Sequence, residues 1–246
     1  MKLKKFLEEH NIEAMLISSK YSLRYFTGFT GTTGIALAFA EKRFFFTDFR
    51  YVTQAKKEVE PNGFTVVKVE RGAVDALAEY IKNSGIKKLG IEDKYVTLAE
   101  YVVYKEKFEE IGFVTLGEAL DKLRMIKTEE EIGYIKKAVE IGDKVFEYIL
   151  DKVKEGAVEK DLAAEMEFQM KKLGGEGPSF ETIIASNYRS ALPHGVASEK
   201  VLEKEGASCK IIAPKGGKIK GNKGTEIKLD ENFLTATSVC FEAVFV

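Results

Sequence analysis

The sequence predicts an α/β protein: a helix-covered sheet in the first half, then a smaller α+β region. Three observations predict it. Residues 1 to about 120 alternate short apolar runs with amphipathic stretches, the pattern of a sheet dressed with helices. At Lys127-Thr-Glu-Glu-Glu131 the pattern changes to sustained helical periodicity. Beyond Glu203, Lys210, Lys215, Lys218, Lys220, Lys223 and Lys228 interleave with Gly206, Gly216, Gly217, Gly221 and Gly224, and the periodicity stops.

The strands predicted in the first region are Ala14–Ile17, Ile35–Phe39, Arg43–Thr47, residues 64–69 and Lys88–Ile91, the short apolar runs of this alternation. Between them Leu3, Phe6 and Leu7 recur at helical spacing, as do Tyr51, Ala55 and Val59, and then Val74, Leu77 and Ile81. An amphipathic stretch over 97–110 closes the unit, Gly112 and Gly117 supply turns, and the boundary is placed near residue 122. Thr128 and Glu131 then form a capping box. They open one long helix carrying Ile132, Ile135, Val139, Ile141, Val145, Ile149 and Val153 up to Gly156. A second helix over 158–173, with Leu162, Met166 and Leu173 on one face, stops at Gly174-Gly175. Ile183, Ile184 and Ala185 read as a short buried strand, and Pro193-His194-Gly195 as a tight loop. Residues 205–246 read as a solvated connector, because they bury too little apolar surface to offset ordering entropy. They end in a β-prone apolar run from Ser238 to Val246, an aggregation hazard unless it pairs with a sheet edge.

Composition narrows the partners. The 246 residues are 45% hydrophobic and 31% charged with a net charge of -1, so the overall balance gives no electrostatic reason to expect nucleic acid or an anionic membrane as the main partner. Small or neutral ligands fit better. Cys209 and Cys240 are too few for a disulfide framework and indicate a reducing compartment, with the cytoplasm as the expected location. Glu8, Glu9 and His10 interrupt the apolar run that export would need, and no stretch reaches the roughly 18 apolar residues of a membrane-spanning helix.

Two blocks carry a family resemblance. The first is Tyr25-Phe-Thr-Gly-Phe-Thr-Gly31 with Phe46-Thr-Asp-Phe-Arg-Tyr-Val-Thr-Gln-Ala55. The second is Leu123-Arg-Met-Ile-Lys-Thr-Glu-Glu-Glu-Ile132 with the segment from Phe180 to Gly195. Together they resemble the Xaa-Pro aminopeptidase, prolidase and creatinase family of "pita-bread" metallopeptidases. The resemblance implies a creatinase-like mixed-sheet domain over 1–122 and an incomplete α+β pita-bread domain over 123–204, followed by a divergent tail over 205–246. Structure alone also accounts for the first block. Gly28 and Gly31 permit a turn after an apolar strand, and Asp48 caps the helix that buries Tyr51 and Ala55. Arg50 then serves the local fold or reaches a partner subunit.

The resemblance further implies metal-assisted release of the residue preceding proline, using two divalent ions (Mn, Co or Zn). It implies that the histidine of the Pro-His-Gly loop, His194 here, lies beside the metals and holds the substrate or its transition state. Without it, an isolated loop histidine reads as a solvated or hydrogen-bonded residue. Asn187-Tyr188 stands where relatives commonly carry a glycine and a small or proline residue, which alters the loop's approach to a bound peptide. The family takes its metal ligands, two aspartates, a histidine and two glutamates, from downstream of this loop. They must hold two metals about 4 Å apart around a shared water. No histidine follows His194; from residue 205 onward the acids are Glu205, Glu226, Asp230, Glu231 and Glu242, and the aspartate-bearing strand is absent. Cys209 and Cys240 read as apolar fillers rather than ligands. His10 reads as a solvated surface residue, and Ser190 lacks nucleophile-elbow glycines.

The metal site is therefore expected to be empty and the chain to be a truncated or diverged relative without turnover. Two alternatives stand beside this: a non-catalytic peptide- or protein-binding module, and a peptidase completed by ligands from another polypeptide. A peptide is the expected ligand. The subunit pairing implied by the resemblance makes a homodimer through residues 1–122 the expected assembly.

Overall fold

The computed structural model describes residues 3–70 and 72–203, together with the backbone of 209–212. The chain divides into two units between Ile126 and Lys127.

The first unit runs α1 (Leu3–Glu9), β1 (Ala14–Ile17), α2 (Lys20–Thr27), β2 (Ile35–Phe39), β3 (Arg43–Thr47), α3 (Val52–Val59), β4 (Thr65–Lys68), α4 (Ala73–Ser84), β5 (Lys88–Ile91), α5 (Leu98–Lys107), β6 (Gly112–Thr115) and α6 (Gly117–Met125). Its six strands form one mixed sheet in the order β4-β3-β2-β1-β5-β6. β1 pairs antiparallel with β2 and parallel with β5. All four residues of β1 are buried. Met15 and Ile17 point into one core with Leu7, Leu23, Ala55 and Leu120, while Ala14 and Leu16 point into a second with Leu77, Ile81 and Tyr104. A strand covered on both faces carries an unbroken apolar run, because successive side chains alternate faces.

Four sequence expectations change here. Tyr25-Phe26-Thr27 ends helix α2 rather than an apolar strand. Ser19 caps α2 by accepting from the Ser22 amide, and Gly28, at φ 75°, closes it with its amide on the Arg24 carbonyl. Gly112 is not a turn. It begins β6, which pairs parallel with β5. The boundary near residue 122 moves to 126, since α6 runs through Met125 and packs Leu120 and Leu123 into the first core. Asp48 does not cap α3, whose N-cap is Tyr51 without a side-chain bond. Instead its Oδ1 accepts from the Arg50 amide and Nε, each at 3.0 Å, and its Oδ2 from the guanidinium at 2.7 Å. An Asx turn with a two-point ion pair replaces the cap. The two halves of the first sequence block meet in space. Glu58 accepts from the Thr30 amide, Gln54 donates to Thr30 Oγ1, and Thr32 Oγ1 lies 2.7 Å from the Tyr51 hydroxyl.

The second unit contains α7 (Glu129–Leu150), α8 (Glu159–Lys172), β7 (Ile183–Ser186) and β8 (Cys209–Ile212). Thr128 and Glu131 complete both arms of the capping box. Val145, Ile149, Leu162, Met166, Met170, Ile184 and Leu202 form the core. Val153 joins this core from beyond the end of α7, and Met170 takes the place expected of Leu173, which is exposed. β8 pairs antiparallel with β7, Ile183 opposite Ile212 and Ser186 opposite Cys209. A strand does therefore follow the loop, so the second unit extends past 204, although its residues are Cys209, Lys210, Ile211 and Ile212 rather than aspartates. The rest of the Lys/Gly-rich tail, Cys240 and the apolar run to Val246 lie outside the described residues.

Candidate functional site

The site is a loop leaving β7. A 3₁₀ turn over Asn187–Ala191 leads to Pro193-His194-Gly195, and the chain returns through Ser198 to a bridge between Val158 and Val201. Helix α8 has no side-chain cap. Its first amides are satisfied by the returning backbone: Glu159 N donates to Lys200 O and Lys160 N to Ser198 O, both at 3.0 Å.

Glu159 sits in the first turn of α8 and is fully buried. Its Oε1 accepts from the Ser186 amide at 2.6 Å and the Ser186 hydroxyl at 2.8 Å. Its Oε2 accepts from Arg189 Nε at 3.1 Å, the Ser198 amide at 3.2 Å and the Ser198 hydroxyl at 2.7 Å. Burial pushes this carboxyl up, but the bonds from Ser198 and Ser186 outweigh it and hold it below the ordinary glutamate range. The positive end of α8 adds to the same preference for the anion. Arg189 also donates to the Val196 carbonyl at 2.5 Å, two residues past His194. Gly195 is buried at a close approach: a Cβ there would meet Ala185 Cβ at 3.1 Å and Arg189 O at 3.2 Å. The loop thus turns around fixed backbone.

Its outer side is open. His194 is exposed, and its ring has no hydrogen-bond partner among the described residues. Tyr188 (77% exposed) and Leu192 (46%) are carried on the same loop. Asn187 adopts φ 52°, a left-handed conformation that glycine takes freely and asparagine tolerates best among other residues. Its Nδ2 donates to Glu203 at 2.6 Å, while its buried Oδ1 has no partner among the described residues. The Ser190 hydroxyl donates to the Asn187 carbonyl. His10 is half-buried rather than solvated: Nδ1 donates to Phe6 O at 2.8 Å and the two rings stand 4.2 Å apart, because the helix turn stacks residues four apart.

A creatinase/prolidase N-terminal domain model matches residues 1–126, and a metallopeptidase family M24 model matches 133–212. The chain belongs to the creatinase/prolidase family of M24 metallopeptidases. It is 40% identical over 202 residues to the peptidase YqhT of Bacillus subtilis, covering 82% of this chain and 57% of that protein. It is 38% identical over 207 residues to the Xaa-Pro dipeptidase of Pyrococcus furiosus, covering 82% and 56%. Among solved structures it resembles an X-Pro aminopeptidase from Thermotoga maritima, with TM-score 0.78, 36% identity and coverage of 87% and 61%. The prolidase of Pyrococcus furiosus follows with TM-score 0.75, 35% identity and coverage of 82% and 62%. The chain spans a little over half the length of these curated relatives.

Divalent metal use is a family trait of the M24 peptidases. Among the described residues no group of three or more His, Cys, Asp or Glu side chains could hold a metal ion. The described residues do not fit a metal pair. Nor is any described helix long and apolar enough to cross a membrane. His194 lies on the loop that follows β7. Glu159, Arg189 and Ser198 were not singled out from the sequence, since Glu159-Lys160-Asp161 reads as an ordinary charged helix start.

Proposed function

We propose that this chain carries the scaffold and peptide-recognition loop of an Xaa-Pro peptidase, with His194 as the group that meets the peptide. The observation supporting this is a loop held from beneath by a buried carboxylate while His194, Tyr188 and Leu192 face outward. A loop already ordered loses little conformational entropy on binding, which favours even a short ligand. The imidazole N–H can donate to a peptide carbonyl or carboxylate oxygen, and Tyr188 and Leu192 offer apolar contact beside a proline ring. In this reading the 246 residues bind the peptide without hydrolysing it. A non-catalytic peptide-binding module is the form the function takes for the chain alone, and pairing of two copies through residues 1–122 belongs to the same proposal.

The test is hydrolysis of an Ala-Pro dipeptide after incubation with Mn²⁺, Co²⁺ or Zn²⁺, with NMR titration of the same dipeptide in parallel. The expected result is no turnover, with shifts at His194 that disappear in His194→Ala. Turnover lost in His194→Ala would establish a working peptidase instead. An absence of both turnover and shifts in folded protein would refute the recognition role.

A further inference from the structure

Two buried carboxylates occur among the described residues, and their partners distinguish them. Glu92 accepts from the Ser18 and Ser19 amides and the Ser19 hydroxyl, all on one short stretch at the start of α2. Glu159 instead joins three stretches of chain, through partners 27, 30 and 39 residues away. Ser186 is the last residue before the loop, Arg189 lies within it and Ser198 is where it returns. Through Arg189 the contact continues to the Val196 carbonyl, and the Val196 amide donates to the His194 carbonyl at 2.9 Å. Among the described residues the His194 ring has no hydrogen-bond partner, so the loop backbone sets its position.

We propose that Glu159 is the positioning residue of the His194 loop, holding its entry, its interior and its return with one carboxylate. The peptide-binding part of this inference rests on the functional reading above. The geometry requires a carboxylate rather than an amide. Five donors converge on two oxygens, and a glutamine would offer one accepting oxygen and turn an NH₂ towards donors on the other side. Glu159→Gln is nearly isosteric and must abandon either the Ser186 pair or the contacts to Arg189 and Ser198.

The experiment follows amide hydrogen exchange in Glu159→Gln and in Ser198→Ala, which removes the hydroxyl that donates to Glu159 and accepts from the Lys200 amide. In Glu159→Gln the amides of Gly195, Val196 and Ser198 are expected to exchange about ten- to hundredfold faster, the range for losing one or two hydrogen bonds to a charged group. Amides of Val145 and Met166 in the helices keep their protection. Ser198→Ala shows the same local pattern at about tenfold, and it decides the matter if Glu159→Gln does not fold. Exchange rising equally in helices and loop, or unchanged in the loop, overturns the inference, because a residue that only stabilises the unit lacks a local signature. The Ala-Pro dipeptide separates this inference from the functional reading. Weaker binding in Glu159→Gln and His194→Ala alike supports both. A looser loop with binding intact in both variants keeps Glu159 as the positioning residue and sinks the recognition role. Binding lost only in His194→Ala, with the loop still protected in Glu159→Gln, sinks the positioning role alone.

Discussion

Replacing Gly28 with alanine tests how the first sequence block is held. Gly28 has φ 75°, and a Cβ there would stand 2.8 Å from Asn62 Nδ2 and 3.3 Å from the Glu58 carbonyl. Left-handed strain for an L-residue costs about 1–2 kcal/mol, and the lost chain entropy of glycine returns about 0.4–1 kcal/mol. The larger consequence falls on Asn62, whose amide donates to the Thr27 and Glu58 carbonyls, each at 3.0 Å. If Asn62 moves aside both bonds go, at about 0.5–1.5 kcal/mol each. Gly28→Ala should therefore cost about 2–3 kcal/mol, measured by urea unfolding of the first unit with a circular dichroism readout. Asn62→Ala alone should cost about 1–2 kcal/mol. In that background the obstacle is gone, and Gly28→Ala should add only about 1 kcal/mol of strain. A coupling energy below about 0.5 kcal/mol, the limit of ordinary additivity, would refute the claim that Gly28 and Asn62 exclude each other.

The remaining predictions concern titration and packing. Glu159 is held below its ordinary value, so its stabilisation is complete above the unfolded glutamate value of about 4.3 and lost as pH falls through the folded one. Acid unfolding of the second unit should accordingly begin at higher pH in wild type than a charge-independent core would show, and Glu159→Gln should flatten that dependence. Tyr104 lies in the opposite direction: burial pushes its phenol from 10.0 up to about 12. Its neutral form favours the fold, so stability is complete below pH 10 and declines towards about 12. Ultraviolet titration should lose its last tyrosine step in Tyr104→Phe. Met166 is fully buried among Val145, Ile149 and Leu162, and Met166→Ala should cost the second unit about 2–5 kcal/mol while calorimetry finds the first unit unchanged.

What could be read from the sequence was whatever local pattern decides. β1 was legible because its apolar run is too short for a buried helix, and α7 because Thr128 and Glu131 mark its start. α2 was not, since Tyr25, Phe26 and Thr27 favour strands. Its helix is settled by two caps, Ser19 and Gly28, that lie outside the aromatic run. At the site, His194 was reached through resemblance, whereas Glu159 could not be told from its neighbours. Lys160 and Asp161 on the same helical turn are exposed and Glu159 is not, and partners 27 to 39 residues away made the difference. Asn187 lies between these cases. The departure from glycine was visible in the chain, but the left-handed backbone that makes it tolerable was visible only in the fold.

The strand order β4-β3-β2-β1-β5-β6 carries a consequence for synthesis of the protein. The earliest strand is central, and every later strand joins an edge that already exists: β2, β3 and β4 outward on one side, β5 and β6 on the other. No strand has to be inserted between two that have already paired. A chain leaving the ribosome can therefore enlarge this sheet in the order it is made, without undoing earlier pairs. The edges left at completion, β4 and β6, are four residues each with both end residues exposed, and short edges of that kind give a neighbouring nascent chain little to pair with.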